Sequence, residues 1–227
     1  MKERPILFST PMVRAILEGR KGQTRRIVKH PIRQYQNSLQ KCLSFHIDGG
    51  GNWVGWSSNR ASLPKETKVI YSNGEGIKCP YGQPGDILWV RETWAFLEGP
   101  PSEQDNTTDW GFCYKADDPH IADKWKPSIF MPKEACRIRL EVTDVRVERL
   151  NDITDDDAKA EGVYFYGWDD YHQDDYKNYL YDDKNYDDWG VQTAKESYET
   201  LWESINSKGS WKKNPWVWVI TFKRIQP

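Results

Sequence analysis

With 227 residues the chain can enclose one large domain with a real core, and its 12 Trp, 12 Tyr and 7 Phe exclude a disordered polymer. A net charge of −2 excludes a uniformly basic nucleic-acid coat. The charges are nevertheless segregated: residues 1 to 68 hold thirteen Lys or Arg against four Asp or Glu, and residues 151 to 200 hold fifteen acids against four bases. That imbalance suggests a local polyanion site in a nearly neutral protein.

From the start, MKER leads into no apolar run of leader length, and no later stretch is long enough to span a bilayer. The protein is therefore expected in the cytoplasm of the cell that makes it, with no membrane partner. PILFS (5 to 9) reads as a buried strand. TPMVRAILEG reads as a compact helix with Thr10 as its cap, Pro11 in the first helical position and Gly19 as the left-handed stop. Its apolar face is Met12, Val13, Ile16 and Leu17. GRKGQTRR (19 to 26) then turns sharply at Gly19 and Gly22, and RRIVK starts a strand. Residues 34 to 80, rich in Gly, Ser and Asn, read as an insertion with a hairpin.

Order resumes at QPGDILWVRETW (83 to 94), a Pro-Gly-Asp turn followed by a strand, with Trp89 and Arg91 on one face and Val90 and Glu92 on the other. PPSEQDNTTD reads as a loop and GFCYKA as a short strand. In MPKEACRIRLEVTDVRVERL, period two puts Ile138, Leu140 and Val142 on one face, and Val145 with Val147 after a break at Thr143–Asp144. ITDDDAKAEGV is a second helix, with Thr154 and Asp157 as a capping box and Gly162 as the stop. Residues 164 to 190, crowded with Tyr and Asp, read as a solvated insertion. A third helix runs from Thr193 to Ile205, capped by Thr193 and Glu196, with Ala194, Tyr198, Leu201, Trp202 and Ile205 as its stripe. PWVWVITFKRI closes the chain as an alternating strand.

The expectation is one α+β domain over 1–227, a small β-barrel with peripheral short helices and two insertions at about 34–80 and 164–190. Cys42, Cys79, Cys113 and Cys136 form no CxxC pair, and His30, His46, His120 and His172 have no ligand spacing. Reduced structural thiols and no metal or other cofactor are expected. Arg20, Arg25, Arg26 and Lys29 have the chemistry of phosphate partners. Trp89 is either core or a base-stacking surface beside Arg91 and Glu92. Taken alone, Lys21 and Thr24 in a polar turn, and Glu161 near a helix end, read as solvated surface.

The order LEGRKGQTRR, PGDILWVRE, ITDDDAKAEG and VITFKR resembles the ASCH-domain family, whose fold is the PUA-like barrel. Phage and prophage members share RPILFS, PMVRAIL, CPYG, LWVRETW and NPWVWV, and that likeness covers most of the chain. The core-domain likeness covers about 1 to 30, 83 to 94, 136 to 163 and 215 to 225. One branch of the family hydrolyses the acetyl group of N4-acetylcytidine, through a lysine, a threonine three residues on, and a glutamate ending the second helix. The matching residues are Lys21, Thr24 and Glu161. Gly22 stands where the family commonly has Thr.

The resemblance implies Thr24 as nucleophile, Lys21 as its base and Glu161 as orienter or proton carrier, with backbone N–H groups around Gly19 to Gln23 holding the oxyanion. Lys21 would need a depressed pKa, which burial and neighbouring arginines favour and a close Glu161 opposes. The partner is then RNA, single-stranded nucleic acid or a modified nucleoside. Alternatives are a reader of RNA or modified DNA without chemistry, a ribonuclease, and an interaction protein that binds a host protein through 164–190.

Overall fold

A computed structural model describes residues 1–29, 44–47, 53–56, 68–69, 78–97, 111–167, 175–180 and 190–225. The fold is mixed α+β, organised on one five-stranded sheet. Its strands are β1 (Glu3–Leu7), β2 (Gln23–Ile27), β6 (Ile87–Arg91), β9 (Arg139–Arg149) and β13 (Trp216–Ile225), in the order β1-β6-β9-β13-β2. Only β1 and β6 pair in parallel; the other pairs are antiparallel. Small sheets are formed by β3 (Ser44–Ile47), β4 (Trp53–Trp56) and β5 (Lys68–Val69), by β7 (Trp94–Leu97) and β8 (Gly111–Tyr114), and by β10 (Phe165–Gly167), β11 (Asp175–Lys177) and β12 (Gly190–Val191). The hairpin expected within 34–80 is β3–β4. The loop expected at 100–109 lies outside the described residues, as does most of the Asp-rich stretch.

The break expected at Thr143–Asp144 is a β-bulge inside one long strand. Phe222 pairs with Val142 and Thr221 with Asp144, so Thr143 is the extra residue on β9. The bulge restores phase: Val142, Val145 and Val147 all lie opposite β13 residues of one face, Phe222, Ile220 and Trp218. That face packs on Ile6, Phe8, Val13, Ile16, Leu88 and Val90. The other face of β13, Val217 and Val219, packs on Tyr198, Leu201, Trp202 and Trp211. With both faces covered, the run WVWVI is buried throughout.

Helix α1 (Thr10–Leu17) carries the chain from β1 to β2, the two edges of the sheet. Its cap position is Ser9, one residue before the expected Thr10, and no side chain caps it; Pro11 fills the first turn. Gly19 takes φ +76°, the expected left-handed stop. Helix α2 (Asp155–Ala160) has half of the expected capping box: Thr154 accepts from Asp157 N, but the Asp157 carboxylate turns to a different task. Helix α3 (Ala194–Asn206) has the full box, Thr193 with Glu196. Ile205, expected in its buried stripe, is exposed. The described margins of the Tyr- and Asp-rich insertion are packed rather than solvated: Tyr176 and Tyr179 lie on the α3 cluster, and Ser197 donates to Lys177 O at 2.6 Å.

Candidate functional site

The turn after α1 is locked to the end of α2. Lys21 N donates to Ala15 O (3.0 Å), and Gly22 N donates to Ala160 O (2.9 Å). Gly162, at φ +87°, lies so close that a Cβ there would come within 2.9 Å of both Ala15 Cβ and Lys21 Cβ. This close approach brings together residues 140 apart in sequence: buried Lys21 Nζ donates to Glu161 O at 2.7 Å and to Glu161 Oε2 at 2.9 Å.

Arg25 completes the group. Its side chain is buried, and it donates to Glu161 Oε1 (3.1 Å), Glu148 Oε1 (3.1 Å from Nε) and Asp157 Oδ2 (3.0 Å). Arg146 donates to both Asp157 oxygens at 3.0 and 3.1 Å and to Glu148 Oε2 at 3.2 Å. Gln23 Nε2 adds a bond to Asp157 Oδ1 at 2.9 Å. Three cations thus face three carboxylates. Register makes this possible, because Arg25 and Arg146 both lie opposite Val219 in neighbouring strands. Arg25 is therefore not the phosphate partner expected: a desolvated guanidinium needs carboxylates, and it has three.

Burial holds Lys21 below the usual lysine range; Glu161 opposes the shift, and Arg26 and Arg25 support it. Arg25 compensates the carboxylate from its other oxygen. The Tyr198 phenol is pushed well above its ordinary value of 10.0, chiefly by burial and next by Glu161.

A cleft opens beside this network. It holds about 420 Å³, counting its open mouth, and is lined by Met12, the β2 residues Thr24 to Ile27, Glu161, and the α3 residues Tyr198, Leu201, Trp202, Ile205 and Asn206. Thr24, Arg25 and Glu161 thus share one cleft, while Lys21 stands behind Glu161.

The remaining expected residues lie elsewhere. Arg20 bonds Glu18 Oε2 (2.7 Å) and Gly162 O (2.8 Å) and stacks on Tyr164. Arg26 donates to Leu7 O on β1 (2.7 Å) and lies over Phe8. Lys29 is exposed. Trp89 and Arg91 lie side by side, half-buried, with Arg91 5.5 Å from the Trp89 ring and bonded to the carbonyls of Met131 and Ile129. Glu92 faces the opposite way and is buried against Arg137. Burial raises the thiols of Cys79, to about 11, and of Cys113 and Cys136, so none is an activated nucleophile.

Sequence reading missed Glu148, Asp157, Arg146 and Tyr198. Arg146 and Glu148 carried a signal: once the chain breaks at Thr143, they alternate with the core residues Val145 and Val147 and must share the opposite face, whereas Asp157 reads only as part of a cap. Tyr198 reads only as helix core. Comparison of the chain with protein-family models, with curated proteins and with solved structures found no match.

Proposed function

We propose that this protein is an ASCH-type, nucleoside- or nucleic-acid-binding protein whose pocket is the cleft at Thr24 and Glu161. The observation that carries the reading is the buried Lys21–Glu161 pair, with Glu161 and Thr24 on the wall of one open cleft. The frame we propose is PUA-like; supporting it, α1 spans the two edges of the five-stranded sheet, and Arg26 of β2 reaches a β1 carbonyl.

Hydrolysis of the N4-acyl group of a modified cytidine is the specific activity. Thr24 Oγ1 attacks the acyl carbon, and a proton passes to neutral Lys21 directly or through water. The leaving N4 takes a proton back as the tetrahedral intermediate collapses, and water then frees acetate from the threonine ester. Glu161 orients Lys21 by two bonds and, held by Arg25, does not need to move. A depressed lysine pKa supports the base role. Gly22 does not disable the turn, because its carbonyl and N–H are both bonded.

The partners are RNA or single-stranded nucleic acid carrying the modified base, with Arg20, Arg26 and Lys29 on the phosphates. The test is incubation of N4-acetylcytidine with wild type, Lys21→Ala and Thr24→Ala while acetate is measured. Wild type releases acetate and both variants lose at least 100-fold. If wild type releases none, the enzyme reading falls; salt-dependent oligonucleotide binding would then leave the reader without chemistry.

A further inference from the structure

Among the described residues, strand β2 is an edge strand, paired with β13 alone. Gly22 O accepts from Phe222 N and Val28 N donates to Trp216 O, both at 2.9 Å. These two bonds fix the alternation: the C=O of Gly22 and the N–H and C=O groups of Thr24 and Arg26 face β13, and those of Gln23, Arg25 and Ile27 point away from it. The end of α2 seals this outer side at Gly22, whose N–H goes to Ala160 O. Beyond it, the outward groups of Arg25 and Ile27 have no backbone partner among the described residues.

Four consecutive residues of one strand, Thr24 to Ile27, line the cleft. Since neighbours along a strand point to opposite faces, one cleft touches all four only by running along the strand's edge. Exposed edges are normally blunted by covering or charge. This one instead lines a slot whose apolar walls include Met12 of α1 and Leu201 and Trp202 of α3. At its Glu161 end are the buried hydroxyl residues Thr24 and Tyr198, neither hydroxyl hydrogen-bonded among the described residues.

We infer that this slot holds a single pyrimidine base by its hydrogen-bonding edge, with the N–H and C=O of Arg25 or Ile27 as the complementary donor and acceptor. The inference rests on the function proposed above and specifies how its site reads the ligand. An outward strand residue offers one donor beside one acceptor, and a pyrimidine presents the converse pair: ring N3 beside N4–H in cytosine, a carbonyl beside N3–H in uracil. The apolar walls take the flat faces of the ring, and the hydroxyls at the Glu161 end take an exocyclic substituent. A peptide strand has the same complementarity, but needs several residues at about 3.3 Å each. Among the described residues the slot offers outward groups of two residues only, Arg25 and Ile27.

The experiment is titration of isotope-labelled protein with uridine, cytidine and 3-methyluridine, following the Arg25 and Ile27 amides by NMR. Those two amides shift and exchange more slowly with bound uridine or cytidine, and 3-methyluridine binds at least tenfold more weakly than uridine. Ile27→Pro removes an outward N–H while sparing the bonds to β13, and weakens cytidine about tenfold. If that variant does not fold, Tyr198→Phe and the methylated ligand decide, Tyr198→Phe binding cytidine several-fold more weakly. Nucleoside binding that leaves both amides unmoved and ignores the methyl group overturns the inference and spares the proposed function. No binding of any nucleoside or oligonucleotide at millimolar concentration overturns both. Amide shifts caused by an extended peptide and not by nucleosides overturn it in favour of strand addition.

Discussion

Two of the ion clusters buried among the described residues are built differently. In one, Glu92 is clasped by Arg137 through two bonds of 2.9 and 3.0 Å; Arg137 also holds Asp117 and lies 3.9 Å from the Tyr114 ring centroid. Its solvent side is the guanidinium, and Glu92 is buried behind it, with its backbone N–H on Met131 Sδ. In the other, Glu161 is held by Lys21 and Arg25 and still forms part of a cleft wall. Buried pairs seldom add net stability over well-packed apolar residues, so pairing alone identifies neither cluster as functional. The difference is access: one carboxylate is closed off by its own partner, and the other is compensated from behind and open in front.

The largest expected effect separates the clusters directly. Glu161→Ala leaves two buried cations short of a partner and costs about 3–5 kcal/mol in urea unfolding. Glu92→Ala costs less, about 1–3 kcal/mol, because Arg137 keeps Asp117 and some contact with water, and it leaves nucleoside binding unchanged. Equal losses would mean that both clusters are structural staples.

Next comes the joint that brings Glu161 to Lys21. Gly162→Ala adds a Cβ into contacts of 2.9 Å at φ +87° and costs about 2 kcal/mol or more, with a matching loss of ligand binding.

The clusters also titrate with opposite sign. Burial outweighs Arg137 and raises Glu92 above its ordinary 4.5, so the folded state holds that proton more tightly, and its contribution is lost as pH rises from 4.5 through the raised value. Lys21 is lowered from 10.5, chiefly by burial, so its charged form burdens the fold at low pH. That burden lifts as pH climbs from the depressed value toward 10.5. Unfolding midpoints across pH read both: Glu92→Gln flattens the acid-side decline, and Lys21→Met flattens the alkaline-side rise.

The smallest effect is at Gly22. Its φ lies outside the left-handed region, and an added Cβ meets only Phe222 O, at an ordinary 3.7 Å. Gly22→Thr therefore changes stability by no more than about 0.5 kcal/mol. Any change in turnover it brings then reports on the hydroxyl rather than on the turn.

Much of the frame was legible in the sequence because local rules govern it. The Gly19 stop, the Thr193–Glu196 box, the Pro-Gly-Asp turn before β6 and the phase change at Thr143 each depend on neighbours a few residues away. Lys21, Thr24 and Glu161 were legible as a resemblance, and the Lys21–Glu161 pairing is a fact of the fold. The rest of the network was not, because Arg25 meets Glu148 and Asp157 only through the order β9-β13-β2 and the placement of α2, which no local spacing encodes. Glu92 misled for the same reason: its alternation with Arg91 was read correctly, but the face it shares with Val90 points to the interior.

The extra residue Thr143 has a consequence for how this chain tolerates change in length. Losing one residue from a loop usually shortens the loop. Losing Thr143 would leave one regular ladder: Val145 and Val147 would stay opposite Ile220 and Trp218, and Arg146 and Glu148 would stay on the face of Arg25, with only the bend of the bulge lost. Deletion at that position therefore spares the charged wall of the site and removes only the local twist that the bulge puts into the strand.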